Sequence, residues 1–277
     1  MTADGEQADS YVDWPSQQLI KAVPKLKGME PATNQDALPT ILKKAGESVD
    51  SFLDNFANTA ALERIHEEAS TPSPWRALQN EEHTSRQDFY YVVILDSKGG
   101  HDQFNEYRTD LKGRPVENEG AQPGYMLTHG FAFAQIYLQP SHQPESSFRY
   151  LGRQLMGGRE CEILAFAQRP SLARPMEFLV GVASSPLLKQ GIIWIDSASY
   201  QIVRMQTDLL APLTQIGLNR NTAEIDYAPV HFASSDQTLW LPSEVLVTVN
   251  FRGSIFTNRH QYSDYKLFRI ETKETHD

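Results

Sequence analysis

Trp240-Leu241-Pro242-Ser243-Glu244-Val245-Leu246-Val247-Thr248-Val249-Asn250-Phe251 decides the fold class. Val245, Val247, Val249 and Phe251 fall on one side of an extended chain, and Glu244, Leu246, Thr248 and Asn250 on the other. A period of two is the signature of a half-buried β-strand. On its C-terminal side Arg252-Gly253-Ser254 reads as a turn, leading to a last pair of segments over 255–262 and 265–270. On its N-terminal side residues 222–232 form a further strand, expected to break at Pro229 because proline cannot donate to a ladder. Earlier pairs follow the same rule: 148–155 and 161–168 around Met156-Gly157-Gly158-Arg159, and 191–196 and 200–207 around Ser197-Ala198-Ser199. The run Phe89-Tyr90-Tyr91-Val92-Val93-Ile94-Leu95 is apolar on both faces, with 103–110 as its hairpin partner and His101 and Asp102 in the connecting turn. The alanines of 131–138 favour a short helix there.

Ahead of the strands, Leu38, Ile41, Leu42, Ala45, Val49, Phe52, Leu53, Phe56 and Ala60 recur at steps of three and four, opposite Lys43, Lys44, Glu47, Asp50 and Asp54. This spacing predicts an amphipathic helix, continued through Leu62 and Ile65 to about Glu68 and stopped by Ser70-Thr71-Pro72-Ser73-Pro74. Residues 1–36 show no periodicity and are expected to be a flexible tail, leaving 37–277 as a single domain. A strongly twisted sheet of about nine to eleven strands must curl or close. The expected architecture is therefore α+β: a curved antiparallel sheet, an incomplete β-barrel, wrapped around a long N-terminal amphipathic helix.

The chain has 277 residues, 25 Lys+Arg against 35 Asp+Glu, a net charge of −10 and one cysteine. The excess acid lies before residue 146, and 146–277 balances 13 basic against 13 acidic side chains. Phosphate binding needs a basic surplus on one face, which argues against nucleic acid as a partner. No stretch approaches the ~20 apolar residues of a transmembrane helix. The sequence contains no Gly-x-Ser-x-Gly elbow, no phosphate-binding glycine loop and no dinucleotide fingerprint. His66-Glu67-Glu68-Ala69-Ser70 lacks the second histidine of a zinc-protease helix, so no metal or other cofactor is expected. Cys161, flanked by Glu160 and Glu162, reads as a small buried residue rather than a nucleophile. Asp196 reads as a residue that bonds the backbone of its own turn, and Tyr262-Ser263-Asp264-Tyr265-Lys266 as turn plus strand. No catalytic residue is assigned. A hydrolase of unrecognised geometry would have to draw on His129, His231 or Asp196.

What remains is apolar surface on a curved sheet. The residues expected to line it are Phe52, Phe56, Phe89, Tyr91, Val93, Phe148, Tyr150, Phe166, Trp194, Ile202, Tyr227, Val247, Val249 and Phe251. Such a face suits an apolar ligand better than chemistry, which needs placed polar groups.

The helix from Leu38 to Phe56 and the segments Gly191-Ile192-Ile193-Trp194-Ile195-Asp196 and Tyr200-Gln201-Ile202-Val203-Arg204-Met205 resemble the outer-membrane lipoprotein-sorting superfamily of carrier-type half-barrels. Phe148-Arg149-Tyr150-Leu151-Gly152, Ala165-Phe166-Ala167-Gln168 and Tyr262-Ser263-Asp264-Tyr265-Lys266-Leu267-Phe268 are similar to segments of bacterial envelope proteins of acidobacterial type. The resemblance covers about residues 38–270. It implies a periplasmic or secreted, monomeric protein, its export signal removed, that binds a lipid, an acyl chain or a lipidated protein partner without catalysis. The alternative is an envelope protein–protein interaction module with a filled core.

Overall fold

The period-two segments assemble into one antiparallel sheet of eleven strands in the computed structural model. Described are residues 10–56, 58–72, 79–98, 101–117, 125–126, 131–174, 176–180, 183–232 and 237–268. In chain order the strands are β1 (Glu30–Pro31), β2 (Thr59–Pro72), β3 (Asn80–Lys98), β4 (His101–Thr109), β5 (Ser146–Met156), β6 (Arg159–Gln168), β7 (Met176–Val180), β8 (Ala183–Leu187), β9 (Lys189–Asp196), β10 (Ile202–Leu209), β11 (Leu218–Phe232), β12 (Gln237–Phe251) and β13 (Ser254–Leu267). Two α-helices, α1 (Ser16–Ala22) and α2 (Leu38–Asn55), precede β2. The sheet runs β1-β5-β6-β9-β10-β11-β12-β13-β2-β3-β4, and β7 pairs with β8 as a separate ribbon that the sequence pattern does not reveal. The sheet is open, with β1 and β4 at the ends of that order.

The sheet has two covered faces. On the inner face α2 and the 3₁₀ turn Ala132–Leu138 pack against side chains of β2, β3, β5, β6 and β9–β13 in one buried cluster. Tyr137 stacks on Phe166 of β6 at 4.7 Å, and Phe131 lies 5.0 Å from the His260 ring of β13. Residues 131–138 thus touch strands far apart in the sheet order. The outer face of β5, β6, β9 and β10 is covered by Tyr11, Leu19, Val23, Leu26 and Met29.

Several expectations are corrected. The amphipathic helix is 18 residues long and ends at Asn55. Asn58 takes a left-handed φ of 59°, and the chain then enters β2, placing Leu62 and Ile65 in a strand. Ladder pairing on both sides, to β13 and β3, overrides the helix propensity of Ala60-Ala61-Leu62-Glu63. The flexible-tail expectation fails for residues 10–31: Leu19, Val23 and Leu26 are fully buried, and Glu30–Pro31 pairs with Gly152 and Arg153. Composition misjudged this segment because its few apolar side chains all land on one sheet face.

β11 runs unbroken through Pro229, which sits opposite Trp240. The ladder is irregular at Leu218–Arg220 and at Asp226–Tyr227; at the second β12 carries an extra residue, Ser243, whose hydroxyl donates to the Asp226 carbonyl at 3.1 Å. The last pair of segments is one strand, β13, bulged between Ser263 and Lys266 with Asp264 at φ 53°; residues 269–270 lie outside the described residues. His101 and Asp102 open β4 rather than forming a turn.

Gly191 marks a tight contact between β9 and β10. A Cβ there would stand 2.1 Å from the Gln206 carbonyl oxygen and 2.7 Å from Phe166 Cε1. Gly191→Ala is expected to destabilise the fold by about 1–3 kcal/mol through overpacking, measured as a fall in the urea midpoint at unchanged m-value. An unchanged midpoint would show that β9 and β10 can separate locally without cost.

Candidate functional site

α2 turns Ile41, Ala45, Val49, Phe52 and Phe56 to the inner face, while the exposed pair Lys43–Glu47 (3.9 Å) faces solvent. Phe52 stacks on Phe56 at 4.8 Å, and Phe56 meets Phe133 edge-on at 5.9 Å. Of the residues expected to line this face, Phe52, Phe56, Tyr91, Val93, Tyr150, Phe166, Ile202, Tyr227, Val247 and Val249 are buried in the inner cluster, with Phe148 and Phe251 half-buried against it. Trp194 is not there. It is fully buried on the outer face beneath the N-terminal segment, where its indole N–H donates to Gln154 Oε1 at 2.9 Å. β6 and β9 are apolar on both faces, so their pattern could not say which way Trp194 points. Phe89 is buried but belongs to neither cluster.

The inner face is not wholly apolar. On β2 the buried positions alternate as Ala61, Glu63, Ile65, Glu67 and Ala69, so two carboxylates point inward. Burying one charge costs several kcal/mol unless it is paired and hydrogen-bonded. Glu63 is fully matched: Arg108 Nε donates to its Oε2 at 2.5 Å and Arg108 Nη2 to its Oε1 at 2.9 Å. The Tyr262 hydroxyl (2.8 Å) and His260 Nδ1 (2.9 Å) also reach Oε1. Burial works to raise the Glu63 pKa, but the hydrogen bonds from Arg108 and His260 outweigh it and hold the carboxyl at about 2. Burial also lowers the His260 pKa, against the pull of Glu63, so the ring is neutral at pH 7. A carboxylate can only accept, so Nδ1 carries the ring proton and Nε2 keeps its lone pair. Burial, then the neighbouring Glu63 charge, pushes the Tyr262 and Tyr265 hydroxyls far above their ordinary range.

This polar group escaped the sequence reading. The expected helix covers Glu63, and the expected segments 255–262 and 265–270 put Tyr262 and Tyr265 on two separate strands. Once 59–72 is read as a strand, carboxylates alternating with Ala and Ile at buried positions are the signal that finds it.

The other singled-out residues lie elsewhere. Cys161 is buried on the outer face, its thiol pushed up to about 11 by burial and then by Asp196. Asp196 Oδ1 accepts from the N–H groups of Ala198 (3.1 Å) and Ser199 (2.8 Å), the turn role expected of it. His231 pairs with Thr238 Oγ1 at 3.3 Å and not with Asp196; His129 lies outside the described residues. Among the described residues the His66 ring pairs with Glu68, at 3.2 Å, and no three His, Cys, Asp or Glu side chains are grouped as metal ligands. No described helix is long and apolar enough to cross a membrane.

No protein-family model and no curated protein matches the chain. Comparison with solved structures finds distant likenesses. The chain is similar to a putative outer membrane lipoprotein-sorting protein domain from Vibrio parahaemolyticus, with 11% identity over 84% of this chain and 94% of that one, at a TM-score of 0.40. It is similar to a DUF1329 family protein from Desulfovibrio piger, with 9% identity over 84% and 93% at a TM-score of 0.42. It is also similar to the lipoprotein LppX of Mycobacterium tuberculosis, with 11% identity over 82% and 95% at a TM-score of 0.28. These structures lend no support to a specifically acidobacterial affinity.

Proposed function

We propose that the chain is a non-enzymatic bacterial envelope protein whose inner sheet face takes a lipid, an acyl chain or a lipidated partner. The observation that carries this reading is the extent of the inner cluster. One buried apolar cluster takes in Tyr150 and Phe166, Met205, Val247 and Tyr91, interrupted on β13 and β2 by the inward polar side chains, and among the described residues α2 and the 3₁₀ turn pack against it. A ligand that displaces part of that cover would exchange one apolar contact for another, at a small net cost in buried area.

A second reading, a protein–protein interaction module with a filled core, is favoured by the close ring packing of Phe52, Phe56 and Phe133 and of Tyr137 with Phe166. Native mass spectrometry of the purified protein separates the two. The carrier reading expects a co-purifying lipid mass and saturable displacement of a fluorescent fatty acid; a bare protein mass with no displacement leaves the interaction module.

A further inference from the structure

Three acceptor atoms on the inner face have no partner among the described residues: His260 Nε2, Asn258 Oδ1 and Glu67 Oε1. They belong to side chains buried almost completely, His260 and Glu67 at 0% exposure and Asn258 at 2%. All three point to the same side of adjacent strands. Asn258 stands directly opposite Glu67 in the β13–β2 ladder, and His260 is the next inward residue along β13, opposite Ile65. Facing side chains of an antiparallel pair have Cβ atoms about 5 Å apart, and diagonal ones about 7–8 Å.

The remaining polar atoms of these groups are occupied. Asn258 Nδ2 donates to the Met126 carbonyl, Gln87 Nε2 donates to Glu67 Oε2 at 2.8 Å, and His260 Nδ1 is held by Glu63. The Glu63 contact fixes the imidazole tautomer and turns its other nitrogen into an acceptor. Among the described residues Glu67 has no guanidinium partner; the hydrogen bond it accepts there comes from the neutral amide of Gln87. Three buried acceptors, one of them a carboxylate, are unsatisfied together beside a strand, β2, that pairs its other inward carboxylate, Glu63, with a guanidinium. Each such orphan is a desolvation cost left unrepaid, which a single group bearing several N–H donors and a positive charge would recover.

We infer that Glu67, Asn258 and His260 form a polar niche that receives the primary ammonium headgroup of an amphiphile whose chain lies on the inner apolar face. The assignment rests on the carrier reading above and names its ligand chemistry. An ammonium offers three donors and the charge that Glu67 lacks; a carboxylate headgroup would face three acceptors and be repelled.

The test is competition against a bound fluorescent acyl probe at neutral pH with dodecylamine, dodecyltrimethylammonium, dodecanol and dodecanoate, which share a chain and differ in headgroup. Dodecylamine is expected to bind at least about 10-fold more tightly than the other three, the trimethyl compound losing because it keeps the charge but has no N–H to donate. Glu67→Gln and Asn258→Leu are each expected to remove most of that preference while leaving dodecanol affinity within about twofold. Should either variant fail to fold, the headgroup series on the unaltered protein decides by itself. Equal affinities across the series, as from a niche that holds only a structural water, overturn the ammonium assignment and leave the carrier reading standing. Failure of every amphiphile to displace the probe, or of the probe to bind, overturns the carrier reading and the assignment with it.

Discussion

Arg108→Leu is expected to lower the free energy of unfolding by about 3–5 kcal/mol, because it leaves the Glu63 carboxylate buried without its counter-charge. The two side chains are 2% and 0% exposed, so water cannot replace what the guanidinium supplies. The double variant Glu63→Leu with Arg108→Met is expected to cost much less than Arg108→Leu alone, since two apolar groups remove the charge that needs a partner. Urea titration of the three proteins checks this; a loss below about 1 kcal/mol for Arg108→Leu would mean that the pair opens to solvent.

The same pair sets the acid response. The Glu63 pKa falls from an ordinary 4.5 to about 2 on folding. A carboxyl whose folded pKa is depressed contributes stability that is complete above its unfolded pKa and is lost as pH falls through the folded one. The window is therefore pH 4.5 down to 2, and the loss there is about 3 kcal/mol. His260, neutral in the fold with a pKa lowered by burial, shifts stability in the same direction, beginning below its ordinary 6.5. Glu63→Gln is expected to flatten the curve between pH 4.5 and 2; a curve unchanged by that substitution would assign the acid sensitivity to other groups.

Trp194→Ala is the second large effect, about 3–5 kcal/mol from the cavity alone. The indole is fully buried and is bonded to Gln154, whose amide in turn donates to the carbonyls of Lys25 (2.8 Å) and Lys27 (2.9 Å). Removing the ring therefore also loosens the segment over the outer face. Beyond the lower stability, the variant is expected to be cut by protease within residues 10–31 faster than global unfolding allows. Trp194→Phe should recover much of the packing but not the Gln154 bond, and so should keep the protease sensitivity. Equal protease resistance in all three proteins would show that Arg149, which donates to the carbonyls of Val12 (3.2 Å) and Trp14 (2.6 Å), holds the segment without help.

The local parts of the fold were legible. Gly157 and Gly158, both at positive φ, make the two-residue turn that joins β5 to β6, and the alternation of Val245, Val247 and Val249 places all three on the inner face. What could not be read depends on partners remote in sequence. Residues 59–72 carry helix-forming side chains and become a strand only because β13 and β3 lie on either side. Trp194 and Ile193 sit in a run buried on both faces, so only the arrival of residues 10–31 distinguishes the two sides. The polar group needs Glu63, Arg108 and His260 from β2, β4 and β13 in register, and no spacing within one segment encodes that.

The place of β13 between β12 and β2 also governs the order in which the molecule can be completed. Glu63 and His260, hydrogen-bonded at 2.9 Å, are 197 positions apart. A chain synthesised from its N-terminus holds β2, β3 and β4, with Glu63 among them, until the strand that sits beside β2 has left the ribosome. Pairings of such long range tend to make folding slow. During that interval the unpartnered side of β2 is an unsatisfied strand edge of the kind that recruits other chains, and charges at its inward positions, Glu63 and Glu67, discourage premature pairing until β13 closes the gap.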